Sequence, residues 1–142
     1  MSDSDLIRLY SGRILQLAAD IPHLGRLAAP TGTAQRRSPL CGSTVTVDVV
    51  MQGGRVTEFA QDVKACALGQ AAASVLGSAA LGRSLAEVEA ARDALRAMLT
   101  DSGPVPLPPF DGFEVLLPAR EYRNRHASIL LAIEALAEAM AA

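Results

Sequence analysis

Three separated segments each carry one residue able to hold a soft metal ion: Cys41 in Ser38-Pro39-Leu40-Cys41-Gly42-Ser43, Cys66 in Lys64-Ala65-Cys66-Ala67, and His126 in Arg125-His126-Ala127-Ser128. The chain has no other cysteine and one other histidine, His23. Two thiolates and a neutral imidazole suit a tetrahedral zinc site or an iron–sulfur centre. Cys41 falls in a Pro/Gly turn. Cys66 opens a helical pattern, where the dipole and unpaired amides favour a thiolate. His126 falls in the first turn of the last helical pattern, where the same field favours the neutral, ligating ring.

Each residue alone also has a plain reading. Cys66 is equally a small buried hydrophobe, since free cysteine is among the most buried residue types. His126, flanked by Arg123 and Arg125, reads as an ordinary surface histidine, and His23 beside Pro22 as a solvent-exposed loop residue. A Cys41–Cys66 redox pair is a further option without the Cys-x-x-Cys spacing that marks one. The metal reading rests on the three together.

The elements that would position them follow from pattern. Leu6, Leu9, Tyr10, Ile14 and Leu17 recur at helical spacing over Asp5 to Ala19, and Pro22 ends the run. A polar connection spans Pro30 to Ser38. Thr44 to Met51 alternates Val45, Val47, Val49 and Met51 with polar residues, as a strand with one buried face does. Gln52-Gly53-Gly54 turns the chain into an antiparallel partner from Arg55 to Val63.

From Ala65 to Gly82 the chain is uncharged and rich in alanine, glycine and serine, which reads as a buried helix rather than a membrane span. Ser84 with Glu87 is a capping-box pattern for a third helix carrying Leu85, Val88, Leu95, Met98 and Leu99. A proline-rich loop covers Asp101 to Pro109, and Phe110, Phe113 and Leu116 fit a short helical turn. Asn124 is the expected cap of a last helix with Ile129, Leu130, Ile133, Leu136 and Met140 on its face. The expected core comprises Leu6, Leu9, Ile14, Val45, Val47, Val49, Phe59, Val75, Leu95, Ile129 and Ile133.

At 142 residues, half of them apolar, the chain fits one domain spanning 1–142, with more helix than strand. Thirteen basic and fifteen acidic side chains give a net charge of −2. No long run of one sign points to nucleic acid. Arg36 and Arg37 are a pair able to hold an acidic partner, although a solvated pair explains them as well. The acidic start, Met1-Ser2-Asp3-Ser4-Asp5, lacks the features of a secretory signal, and two cysteines suit a reducing compartment, so the expected location is cytoplasmic.

Taken in order, the Ser-Pro-Leu-Cys-Gly-Ser turn, the Gly-Gly hairpin, the helix opening at Lys64-Ala65-Cys66, the Gly82-Arg83-Ser84-Leu85 step and the closing helix resemble the IscU/SufU/NifU N-terminal family of iron–sulfur cluster assembly scaffolds. The likeness spans roughly residues 5 to 140. Leu117-Pro118-Ala119-Arg120 and the longer insertion before it look closer to the SufU branch. The resemblance implies an α+β fold, a short antiparallel β-sheet with packed helices. It also implies a site for zinc or a transient iron–sulfur cluster, with Cys41 and Cys66 at the first two cysteine positions.

Two departures accompany it. Ser43 stands where the family has aspartate, and His126 where it has a third cysteine. Three thiolates and a carboxylate would carry four negative charges, whereas two thiolates, a neutral histidine and a hydroxyl carry two, which neutralises one divalent ion. Leu107-Pro108-Pro109-Phe110 is similar to the family's chaperone-recognition segment but lies too far before His126 and lacks its lysine, so that role is not transferred. The implied function is a scaffold that takes sulfur from a cysteine desulfurase and passes a cluster to acceptor apo-proteins. The alternatives are a zinc-dependent sulfurtransferase of the SufU kind and a degenerate paralogue that binds assembly partners without metal. No membrane partner is expected.

Overall fold

The computed structural model describes residues 11–39 and 42–142. Cys41, Leu6 and Leu9 therefore lie outside the described residues. Strands β1 (Gly32–Arg37), β2 (Thr44–Gln52) and β3 (Arg55–Lys64) form an antiparallel sheet in the order β1-β2-β3. The α-helices among the described residues are α1 (Gly12–Ala19), α2 (Ala67–Ala79), α3 (Leu85–Thr100) and α4 (Arg123–Ala141), with a 3-10 segment over Asp111–Glu121. This is the expected α+β class.

The β2–β3 hairpin turns at Gly53 and Gly54, with φ of 60° and 77°, values that glycine adopts without a Cβ clash. Val45, Val47 and Val49 are buried on the face that α2 and α4 cover, together with Phe59. Ile14, Val75, Leu95, Ile129 and Ile133 join the same core. The Ser84–Glu87 capping box forms in full, the Ser84 hydroxyl accepting from the Glu87 amide and the Glu87 carboxylate from the Ser84 amide.

Three expectations need correction. The stretch Pro30 to Ser38 is not a plain connection but contains edge strand β1, in which only Gly32 and Ala34 are buried. Its partner β2 supplies a ladder that the polar residues accept without needing an apolar face. A Cβ at Gly32 would collide with the carbonyl of Ala139 on α4. The first helix does not run unbroken from Asp5: Ser11 is extended (φ −58°, ψ 162°) and its hydroxyl accepts from the Ile14 amide, so α1 starts at Gly12. The last helix is preceded by Tyr122, which leaves Asn124 inside the first turn rather than at the cap.

A segment between α1 and β1 is tied to the sheet by buried polar groups. Asp48 on β2 is fully buried and accepts from the Arg26 guanidinium (2.6 and 3.1 Å), the Thr33 hydroxyl (2.6 Å) and the Leu27 amide (3.0 Å). Gln61 on β3 is also buried and donates to the carbonyls of Pro22 and Ala73. His23 is exposed, as expected, and meets the edge of Phe59. Among the described residues no helix is long and apolar enough to cross a membrane.

Candidate functional site

Cys66 occupies the N-cap position of α2 in extended geometry (φ −65°, ψ 169°), and its side chain makes no capping bond. The sulfur is thus free to face away from its own helix. It is a half-buried free thiol. Its partner is Ser128 of α4, with Sγ and Oγ 3.4 Å apart. Ser128 in turn donates to the Oγ of Ser43 at 3.1 Å. Both serines are buried.

This chain of contacts has a directional consequence. A serine hydroxyl has one proton to give. With that proton directed to Ser43, the Cys66 thiol donates to Ser128. Once the sulfur loses its proton it can only accept, so Ser128 must turn its proton toward the thiolate. Ser128 can thus give its one proton to either neighbour, Ser43 or the sulfur.

Local backbone features bring the three residues together. The Ser38 amide donates to the Ser43 carbonyl (2.8 Å) and the Gly42 amide to the Ser38 carbonyl (3.0 Å), which holds Ser43 next to Ser38. Gly42 has φ 71°, a left-handed conformation suited to glycine. The Ser38 hydroxyl is buried and has no hydrogen-bond partner among the described residues. Gly69, one turn into α2, allows α4 to approach, since a Cβ there would stand 2.6 Å from the Ser128 hydroxyl.

His126 is buried in the first turn of α4, and its Nε2 lies 2.9 Å from the Ala119 carbonyl. A carbonyl only accepts, so Nε2 carries the proton and Nδ1 holds the free lone pair of the neutral ring. The residue is therefore not the ordinary surface histidine of the plain reading. Ser128 stands about 200° further round the helix than His126, and it is Ser128 that touches Cys66. Among the described residues no group of three or more His, Cys, Asp or Glu side chains is placed to share an ion.

Of the sequence candidates, Cys66 is thus at a junction of α2, α4 and the segment ending at Ser43, which it reaches through Ser128. Sequence reasoning misses Ser128 and Gly69. The signal for Ser128 is its spacing from His126: two residues apart on one helix, the pair cannot face the same point, so one of them has to face elsewhere. The structure brings the Cys66 thiol together with the Ser128 and Ser43 hydroxyls, whereas the His126 ring is held against the Ala119 carbonyl.

The NifU-like N terminal domain family matches this chain over residues 9–111. A solved structure of a nitrogen-fixing NifU-like protein (N-terminal) from Brucella abortus is 44% identical, with 96% of this chain and 95% of that chain covered at a TM-score of 0.94. A protein from the thermophile Fervidobacterium islandicum AW-1, assigned as an iron–sulfur cluster assembly scaffold for the SUF system, is 18% identical and shares the fold at a TM-score of 0.82, over 94% of this chain and 98% of that chain. A further solved structure, of a hypothetical protein, is 22% identical with a TM-score of 0.85, over 96% and 99% of the two chains. No curated protein sequence matches.

Proposed function

The chain belongs to the NifU-like N-terminal domain family, and from that premise we propose that it is an iron–sulfur cluster assembly scaffold, taking sulfur from a cysteine desulfurase and passing a cluster to acceptor apo-proteins. The observation that carries the reading is the position of Cys66, a half-buried thiol at an uncapped helix start with two hydroxyls from other elements behind it. Cys41, between Ser38 and Ser43 in the sequence, is the second sulfur of the proposed site, and His126 joins it through Nδ1 only by a rotation of the first turn of α4, since Ser128 holds the side of the helix toward Cys66. Iron, sulfide and the nascent cluster are the cargo of this site.

The same thiol supports a second reading, a zinc-dependent sulfurtransferase of the SufU kind. In that reaction the Cys66 thiolate attacks the terminal sulfur of the desulfurase persulfide. Its S–S bond breaks, a new S–S bond forms on Cys66, and the desulfurase cysteine leaves as a thiolate. Ser128, able to donate to an anionic sulfur, suits either role.

Anaerobic reconstitution with iron and sulfide, followed by metal analysis and absorption spectroscopy, tests the proposal. The scaffold reading expects a chromophore in the wild type that Cys41→Ser and Cys66→Ser each abolish without loss of helical circular dichroism. Stoichiometric zinc without a chromophore favours the sulfurtransferase. Neither metal nor cluster overturns both and leaves a partner-binding paralogue.

A further inference from the structure

Strand β1, the C-terminal half of α3 and helix α4 border a cleft of about 400 Å³, and Cys66, Ser128 and His126 take no part in its lining. The size is that of a small-ligand pocket. Leu130 and Leu131 of α4 give it an apolar side, and Arg36, Ser38, Arg96 and Glu134 are its chief polar groups.

Two of these groups have hydrogen-bonding capacity that the described protein does not use. Arg36 is half exposed and approaches Glu134 at 3.9 Å and Glu138 at 3.6 Å, both beyond hydrogen-bond length. Its five N–H donors therefore make no hydrogen bond among the described residues. Arg96, by contrast, donates to Glu134 at 3.2 Å and so engages the one carboxylate of the lining. Ser38 is fully buried, and its hydroxyl has no partner. The contacts that hold Ser43 beside it use the Ser38 amide and carbonyl alone, so the turn does not need the hydroxyl, which is left at a cost in free energy.

Strand register sets both residues on one face. Gly32 lies against the Ala139 carbonyl and Arg36 faces Glu134 and Glu138, so the even-numbered positions of β1 face α4. Ser38, paired through its amide with Ser43, continues that alternation. Arg36 and Ser38 thus stand about 7 Å apart along the chain. Arg37 alternates to the other face and is left out of the charge count.

We propose that this cleft binds a small organic oxyanion, its carboxylate or phosphate head between Arg36 and Ser38 and its apolar part on Leu130 and Leu131. Arg36 offers paired N–H groups to two oxygens of the head. An oxygen on the Ser38 side supplies the acceptor that the hydroxyl lacks, after a turn about χ1. Two guanidinium groups, Arg36 and Arg96, against the single carboxylate of Glu134 favour an anion over a cation, and the leucines favour an organic anion over bare phosphate. The binding does not depend on the scaffold reading.

The test titrates phenyl phosphate, hexanoate and inorganic phosphate into the full chain, followed by calorimetry and amide chemical shifts. Variants are Arg36→Gln and Ser38→Ala, with Arg13→Gln on α1, outside the cleft, as control. Phenyl phosphate or hexanoate should saturate the protein, the tighter of the two identifying the head group. Inorganic phosphate should bind about tenfold more weakly than that probe, having no apolar part to bury. Arg36→Gln should lose about tenfold in affinity, and the control none. Ser38→Ala separates ligand from fold: it should melt higher than wild type without ligand, because an orphaned hydroxyl is deleted, yet bind several-fold more weakly. Absence of saturation by every probe at about 10 mM, or equal affinity in wild type, Arg36→Gln and Ser38→Ala, overturns the site. Inorganic phosphate bound as tightly as either organic probe overturns the apolar contact.

Discussion

The sulfur of Cys66 and the hydroxyl of Ser128 lie 3.4 Å apart although 62 residues separate them in the chain. Ser128, rather than His126, is the α4 side chain in contact with the candidate nucleophile. Removing it leaves the sulfur without its hydroxyl donor. Ser128→Ala should slow alkylation of Cys66 by iodoacetamide several-fold at neutral pH, because the reacting thiolate loses a charge-assisted hydrogen bond. Stability should fall by about 1 kcal/mol in a denaturant titration. An alkylation rate equal to wild type would show that the contact does not act on the thiolate.

For His126 the Ala119 carbonyl predicts the tautomer. Nitrogen NMR of histidine-labelled protein should show the proton on Nε2, and added zinc should perturb Nδ1. His126→Ala should weaken zinc binding at neutral pH by several kcal/mol, a large share of a total on the order of 10 kcal/mol. His126→Cys should supply the third thiolate that the resemblance implies and hold iron more tightly. Equal zinc affinity in wild type and His126→Ala would remove the ring from the site.

Asp48 gives the fold a defined acid limit. The Arg26 hydrogen bond, helped by those from Thr33 and the Leu27 amide, holds its carboxyl at about 2 against a usual 3.8, despite the opposing effect of burial. The unfolded chain therefore takes up this proton first. The contribution is complete above about pH 4 and is lost as pH falls toward 2. Glu87, held at about 2 chiefly by the Ser84 amide, acts in the same direction and window. Asp48→Asn should cost about 2 kcal/mol at neutral pH, less than a fully enclosed ion pair because Arg26 is half exposed. Its stability should decline less between pH 4 and pH 2 than that of wild type, as followed by urea titration at several pH values.

Much of this arrangement is written in local pattern. Alternation at Val45, Val47 and Val49, the Gly53-Gly54 turn and the Ser84–Glu87 pair are short-range signals, and each forms as read. What escapes is long-range. β1, with Gln35, Arg36 and Arg37 exposed, looks like a loop until β2 provides its ladder. Asp48 reads as an outward strand residue until Arg26 and Thr33 close over it. Ser128 is marked locally only by its two-residue spacing from His126, and its contact with Cys66 spans 62 residues. The start of α1 escapes because apolar spacing continues through Ser11, whereas the break depends on a backbone conformation and one hydroxyl.

Two glycines in helices separate packing from propensity. Replacing helical glycine by alanine ordinarily stabilises by up to about 1 kcal/mol, through lost freedom of the unfolded chain. At Gly12, in the first turn of α1, no atom lies within 4 Å of the place an added methyl would take, so Gly12→Ala should gain about 0.5 kcal/mol. At Gly69 the same methyl would stand 2.6 Å from the Ser128 hydroxyl and 2.8 Å from the Ala65 Cβ. Helices α2 and α4 would have to separate, so Gly69→Ala should lose about 1–3 kcal/mol instead. Because the displaced atom is the partner of Cys66, Gly69→Ala should also reproduce the slower alkylation of Ser128→Ala, and the double variant should be no slower than either single one. Opposite signs for the two glycine variants in thermal melts, with non-additive alkylation rates, are the expected result. A Gly69→Ala protein as stable and as reactive as wild type would mean that the close approach of α2 to α4 does not set the Cys66–Ser128 contact.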